Sequence, residues 1–334
     1  MYRSVLVRDL GEQGLLQRLQ KFCPPEIIGD DAAILTPTPG QSLVVTTDML
    51  VDGVHFSDQT TAPEDVGWRA AAANLSDLAA MGASPLGLTI ALGIPGDLAV
   101  EWIERLYRGM ADCLTQFNTV LLGGDVCRSS VITVSITALG QVMPSQAILR
   151  SAAQPEDAIL VTGVHGAARA GLELLLQPEW GRDLTESDRR GLILAHQRPR
   201  PRLDVIQALR AQYPSVRVAG MDSSDGLADA VLQICRASGV GAILDSDRLP
   251  LPAAFRHTQD LTPTQALDWG LYGGEDFELV LCLDAAIAYS FAAQIQGMVI
   301  GRLTTEPEVI LQEGNQQRSL TLTAAFQHFS TANY

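Results

Sequence analysis

Apolar residues recur at helical spacing at Leu10, Leu15, Leu16, Leu19 and Phe22. They predict an amphipathic helix over 6–22, closed by Cys23-Pro24-Pro25, where proline offers no amide for a further turn. The run Leu43-Val44-Val45-Thr46-Thr47 predicts a strand. Pro63-Glu64-Asp65 then starts a helix, with proline in the first turn and acids at the positive end of the dipole. That helix continues through an alanine-rich stretch to Met81 and stops at Gly82. Strands are expected over 86–94, 120–122 and 131–142, with a helix over 98–117 between the first two. The pattern breaks at Met143-Pro144-Ser145 and resumes after Pro155-Glu156-Asp157. Beyond the break, strands are predicted over 158–162, 216–219, 241–244, 277–283 and 298–302. Helices are predicted over 167–176, 203–211, 227–238 and 263–270. The alternation gives an α/β fold class with mixed sheets in two domains, 1–147 and 148–334, without short repeats or low-complexity segments.

Composition narrows the function classes. The chain has 334 residues and 47% hydrophobic content, enough for a sizeable core in each of about two domains. Lys and Arg number 23 against 38 Asp and Glu, a formal net charge of −15, and such a field opposes nucleic-acid phosphates and anionic membranes. Neither is expected as a partner. Lys21 is the only lysine, and it sits at the end of the first amphipathic segment. This excludes a Walker A loop, a protein-kinase strand lysine and Schiff-base chemistry. The five cysteines lack any C-x-x-C pair, so they read as reduced core residues rather than a disulfide framework or zinc ribbon. No signal-peptide pattern opens the chain and no apolar run reaches the ~18 residues of a membrane span, so a cytoplasmic location is expected.

The candidate chemistry lies in carboxylates placed beside Gly, Ser or Thr, where predicted elements end. These are Gly29-Asp30-Asp31-Ala32, Thr46-Thr47-Asp48, Asn74-Leu75-Ser76-Asp77, Gly123-Gly124-Asp125, Asp222-Ser223-Ser224-Asp225-Gly226 and Gly273-Gly274-Glu275-Asp276. Any one of them is explained by a turn or a helix cap. Together they suggest a cleft whose acids need cations between them, and hard oxygen donors suit Mg²⁺ better than zinc. Asp77 is the sharpest case, being the only charge between Ala70 and Met81. The run Gly163-Val164-His165-Gly166 has the wrong spacing for a dinucleotide fingerprint, the histidines lack zinc spacing, and no G-x-S-x-G elbow occurs.

These motifs, with Asp52-Gly53-Val54-His55-Phe56, Leu78-Ala79-Ala80-Met81-Gly82-Ala83 and Phe277-Glu278-Leu279, stand in an order and spacing that resembles the thiamine-monophosphate kinases over nearly the whole chain. The resemblance implies an aminoimidazole-ribonucleotide-synthetase-like fold, with an N-terminal domain for ATP, Mg²⁺ and dimerisation, its sheet forming a barrel in a homodimer. A C-terminal domain would complete the active site. It implies a kinase that converts thiamine phosphate and ATP to thiamine diphosphate and ADP by direct in-line transfer, with several Mg²⁺ ions and ATP as co-substrate. By motif, Asp31, Thr46, Thr47, Asp48, Asp77, Asp125, Asp222 and Asp225 would be metal ligands. Tyr107, Gly124, Asp125, Arg150 and Ser224 would contact ATP, and His55, Glu275 and Phe326 would contact thiamine phosphate. No side chain is singled out as a catalytic nucleophile or base. Relatives of the same fold that rely on a reactive N-terminal or extreme C-terminal cysteine are disfavoured, because the first cysteine is Cys23 beside Pro24 and the chain ends Thr331-Ala332-Asn333-Tyr334. A non-catalytic nucleotide- or metal-binding chain would be favoured by loss of a carboxylate, and every acidic motif is present.

Overall fold

The computed structural model describes residues 4–321. Phe326 lies outside the described residues. Two compact units emerge, Met1–Ala147 with Gln197–Leu203, and Ile148–His196 with Asp204–Tyr334.

In the first unit the elements run α1 (Val7–Leu19), β1 (Ser42–Val51), α2 (Pro63–Ala80), β2 (Ser84–Ile94), α3 (Val100–Gln116), β3 (Leu121–Arg128) and β4 (Thr133–Val142). The strands form one sheet in the order β1-β4-β2-β3, antiparallel except for the β2–β3 pair, which α3 connects as a crossover. Ile132, Val134, Ile136 and Ala138 alternate into the core, while Leu43, Val45 and Met49 of β1 stand exposed on the sheet's other face. Buried alanines cover much of α2, so its neighbours approach closely. The tightest approach is to α3: a Cβ on Gly67 would fall 1.9 Å from the Leu106 carbonyl, and one on Gly109 would fall 1.8 Å from that of Glu64. Gln197–Leu203 joins this unit through Trp68 Nε1, which donates to the Pro199 carbonyl at 2.8 Å, and through Arg198, which pairs with Asp65 at 2.5 Å.

The second unit contains β5 (Ala158–Val161), α4 (Ala167–Leu176), α5 (Glu186–Gln197), α6 (Leu203–Gln212), β6 (Ala219–Asp222), α7 (Leu227–Ser238), β7 (Gly241–Asp245), α8 (Pro263–Tyr272), β8 (Leu279–Leu283), α9 (Ala285–Ile295), β9 (Met298–Thr304), β10 (Val309–Glu313) and β11 (Gln316–Ser319). Its sheet order is β11-β10-β7-β9-β5-β8-β6, mostly antiparallel with a parallel β10–β7 pair. β5, β8 and the edge strand β6 are buried at every position.

Several elements differ from the pattern-based expectation. The short strand at 120–122 instead runs on to Arg128, carrying Gly123-Gly124-Asp125 inside β3, in register with Thr89, Ile90 and Ala91. The glycines look like a turn, but a Cβ on Gly124 would sit 2.2 Å from the Ile90 carbonyl, so the residue serves close strand approach. The strand expected over 216–219 begins at Ala219 and ends on Asp222. Helices α5 and α9 and strands β10 and β11 were not expected. α9 is apolar nearly all round and so lacks an amphipathic period, and its start is marked by Asp284, whose carboxylate accepts the Ala286 and Ile287 amides. Among the cysteines, Cys113, Cys235 and Cys282 are core residues, but Cys127 is exposed on β3 and Cys23 half-buried.

Candidate active site

In the first unit, β1 and α2 bring the Thr-Thr-Asp and Asp77 motifs together. Thr46, Asp48 and Leu50 share the less exposed face of β1. The Thr46 hydroxyl donates to the Asp77 carboxylate, and the Asp48 amide donates to Asn74 Oδ1 at 3.2 Å. Thr47 points to the opposite face, where its hydroxyl donates to the Ile136 carbonyl at 2.7 Å. His55 Nδ1 accepts the Val51 amide at 3.1 Å, which fixes the ring as the neutral Nε2–H tautomer. Asp125 and Gly124 are exposed on β3, the opposite edge strand from β1. Asp31 is exposed in the irregular segment before β1. Tyr107 of α3 is buried, its ring 5.4 Å from that of Phe22, and burial pushes its hydroxyl pKa up. Lys21 pairs with Glu104 at 3.3 Å beside the Phe22 ring.

In the second unit, the C-terminal end of β6 places Asp222 at the edge of the core. Ser224 Oγ donates to Asp222 Oδ1 at 3.0 Å, and the Ser224 carbonyl accepts the Glu275 amide at 2.7 Å. That contact ties the Asp222–Gly226 turn to the Gly273–Asp276 turn. Glu275 itself adopts φ of 58°, an unusual conformation for a side chain with a Cβ, and its Oε2 lies 3.6 Å from Nδ1 of buried His196. Asp225 is exposed at the head of α7. Nearby Asp229 has its carboxyl pKa raised by burial and by the charge of Asp225, against a lowering by Arg150.

Sequence reasoning passed over three groups here. Asp276 accepts the Gly166 amide at 2.6 Å and the Ala168 amide at 2.8 Å, capping the start of α4. Burial, with Glu278 and Glu275 nearby, pushes its carboxyl up to about 7. Glu278 accepts the Thr162 hydroxyl and bonds back through Ser223, joining the ends of β5, β6 and β8. His165 is fully enclosed, and burial, outweighing a contact with the Thr162 main chain, lowers its pKa to about 4, so the imidazole is neutral. The motif Gly273-Gly274-Glu275-Asp276 was visible in sequence, but nothing in it separates a ligand-facing acid from a helix cap.

A cavity of about 410 Å³ in this unit is lined by Arg169, Asp268, Trp269, Tyr272, Gly273 and Arg318. Of the motifs singled out from sequence it touches Gly273 alone, and none of the proposed ligand residues lines it. Its arginines are internally neutralised, Arg169 by Glu173 at 2.7 Å and Arg318 by Asp268 at 3.3 Å and Glu313 at 3.0 Å.

Among the described residues, no group of three or more His, Cys, Asp or Glu side chains stands close enough to hold a metal ion. Mg²⁺ commonly binds through one or two carboxylates plus substrate phosphates and water, so donor chemistry is the sharper test. Thr46, Asp48 and Asp77 pass it. They are oxygen donors on facing elements, and Asp77, held by the Thr46 hydroxyl, is the one charged residue of the 70–81 stretch. Among the described residues, no helix is long and apolar enough to cross a membrane.

The N-terminal domain of AIR synthase related protein matches residues 29–142, and the C-terminal domain of the same family matches 154–313. A thiamine-monophosphate kinase of Synechococcus elongatus is 53% identical over 97% of this chain and 98% of its own length. The crystal structure of thiamine-monophosphate kinase from Stenotrophomonas maltophilia superposes with a TM-score of 0.77 at 36% identity, covering 90% of this chain and 95% of that one. AaThiL complexed with AMPPCP and TMP gives 0.74 at 30% identity, covering 96% and 99%. With both domains matched, and a relative this similar along its whole length, the chain belongs to the thiamine-monophosphate kinase family.

Proposed function

We propose that the chain transfers the terminal phosphoryl group of ATP to thiamine phosphate, giving ADP and thiamine diphosphate, by direct in-line displacement with several Mg²⁺ ions. The observation that carries this reading is the full-length similarity to the Synechococcus enzyme, with every acidic motif of the resemblance present in this sequence. AaThiL bound to AMPPCP and TMP supports the same pair of ligands.

The acceptor is itself a phosphate oxygen, so no strong base is needed to deprotonate a hydroxyl. The work is positioning and charge neutralisation. In the first unit Asp31, Thr46, Thr47, Asp48, Asp77 and Asp125 would hold Mg²⁺, and in the second Asp222 and Asp225 would. When bound, these ions would supply the positive charge that a −15 chain with a single lysine lacks for two anionic substrates. Gly124, Tyr107, Arg150 and Ser224 serve ATP, Arg150 as a planar donor to phosphate. His55 and Glu275 serve thiamine phosphate, Glu275 as a carboxylate for the cationic thiazolium, together with Phe326. The exposed apolar residues Leu43, Val45 and Met49 on β1 support a homodimer closed through this sheet face. The acidic charge disfavours nucleic-acid partners, and five cysteines without a disulfide-framework spacing favour a cytoplasmic enzyme.

The in-line step is tested with ATP chiral at a thio-substituted terminal phosphate. Inversion at phosphorus supports direct transfer, and retention requires a phosphoenzyme instead.

A further inference from the structure

The segment that leads from α8 into β8 is held in an unfavourable backbone. Gly274, Glu275 and Phe277 adopt left-handed angles, with φ of 66°, 58° and 51°, and only the first is glycine. For Glu275, and still more for the aromatic Phe277, such a conformation persists only where the surroundings impose it. β8 begins beyond them, at Leu279. Two supports flank the Glu275 Cα. On one side the Glu275 amide donates to the Ser224 carbonyl at 2.7 Å. On the other stands Asp276, whose Oδ2 accepts the Gly166 amide at 2.6 Å and whose Oδ1 accepts the Ala168 amide at 2.8 Å. A bond at the amide alone leaves Glu275 free to turn about its N–Cα bond, and a support beyond its carbonyl removes that freedom. The anchor itself is firm. The first-turn amides of α4 lack partners within the helix and favour a carboxylate. Gly166 packs against the end of α8, since a Cβ there would fall 3.0 Å from the Gly270 nitrogen and the Trp269 carbonyl carbon. The strained segment is thus referred to the start of α4 at both of its ends, by α8 and by Asp276.

We infer that Asp276 is a positioning residue for Glu275. Each of its carboxylate oxygens is engaged by an α4 amide. Through the peptide that joins the two residues it keeps Glu275 in the left-handed conformation, and so sets the direction in which the Glu275 carboxylate leaves the main chain. The adjacent acids divide the work, one holding the turn and the other meeting the ligand. This rests on the proposed contact of Glu275 with thiamine phosphate.

The test is a double-mutant cycle in the full-length protein, read as KM for thiamine phosphate and KM for ATP. Asp276→Asn keeps the shape of the side chain but offers one acceptor to two amides, and Asp276→Ser offers one on a shorter side chain. Both are compared with Glu275→Gln and with the Glu275→Gln/Asp276→Asn double variant. Assays run at about pH 8, where the Asp276 carboxyl, raised to about 7 by burial, is ionised. The expected result is a KM for thiamine phosphate raised about fivefold or more by either Asp276 substitution, with the KM for ATP within about twofold of wild type. Added to Glu275→Gln, Asp276→Asn should raise the KM for thiamine phosphate by less than about twofold, because the residue acts through Glu275. A wild-type KM for thiamine phosphate in a folded Asp276 variant overturns the inference. So does an equal rise in both KM values, and so does a full further rise in the double variant, which would mean that Asp276 acts without Glu275. Failure of both Asp276 variants to fold also overturns it, making Asp276 a folding residue. An unchanged KM for thiamine phosphate in Glu275→Gln would instead overturn the ligand contact on which the inference rests.

Discussion

The hydroxyl of Thr46, in the interior of β1, donates a hydrogen bond to the carboxylate of Asp77 in α2, two residues before the Asp48 amide is taken by the same helix. A strand and a helix thus present oxygen donors to one another. If these groups hold Mg²⁺, then Asp48→Asn, Asp77→Asn, Asp125→Asn and Asp225→Asn each remove charge from a cation site. Turnover should fall by roughly a hundredfold or more, with the thermal midpoint nearly unchanged for the exposed Asp125 and Asp225. Steady-state kinetics at saturating Mg²⁺ checks this, and wild-type rates would remove the residue concerned from the ligand set.

Glu275 is held by its amide to the Ser224 carbonyl, so Glu275→Gln changes charge with little change of shape. A carboxylate facing a cationic ring acts on ground-state binding as much as on the transition state. The KM for thiamine phosphate should therefore rise about tenfold while the KM for ATP stays near wild type. A rise confined to ATP would move Glu275 to the nucleotide.

Stability against pH should show two opposing slopes. Asp276 titrates at about 7 when folded, against 3.8 unperturbed, so between those values the folded state keeps the extra proton and stability falls as pH rises. His165 titrates at about 4 when folded, against 6.5, so between those values the unfolded chain binds the extra proton and stability falls as pH falls. Relative to wild type, Asp276→Asn should therefore tilt stability upward with pH from about 4 to 6.5, and His165→Phe should tilt it downward. Denaturant midpoints at three pH values measure the tilt, and two variants tilting the same way would contradict the assignments.

The α2–α3 crossing depends on two glycines. A methyl at Gly67 or Gly109 would overlap backbone carbonyl oxygen of the facing helix, which has no flexible end to move. Each Gly→Ala change should cost about 1–3 kcal/mol or more, although alanine is the better helix former. Urea unfolding measures it, and a gain in stability would show that the helices can part without cost.

Where the sequence was clear, the reason was a strong local signal. Helices α4 and α7 match their expected bounds, because each has a sharp apolar period and glycine punctuation at its start. β3 was cut short because Gly123-Gly124 imitates a turn, and only the partner strand shows that glycine is what lets β2 approach. The carboxylate motifs were legible as residues but not as geometry. Thr46 and Asp77 are far apart in sequence, and their contact depends on the fold. Asp276 and Glu275 adjoin each other, yet one caps a helix and the other stands on a left-handed turn near His196.

The central claim is tested most directly by incubating the purified protein with ATP and Mg²⁺ and either thiamine phosphate or free thiamine, and measuring ADP and thiamine diphosphate. Stoichiometric formation of both products from thiamine phosphate, abolished by EDTA and absent with thiamine, is the predicted result. No thiamine diphosphate from thiamine phosphate, with ATP still bound by the folded protein, would contradict it.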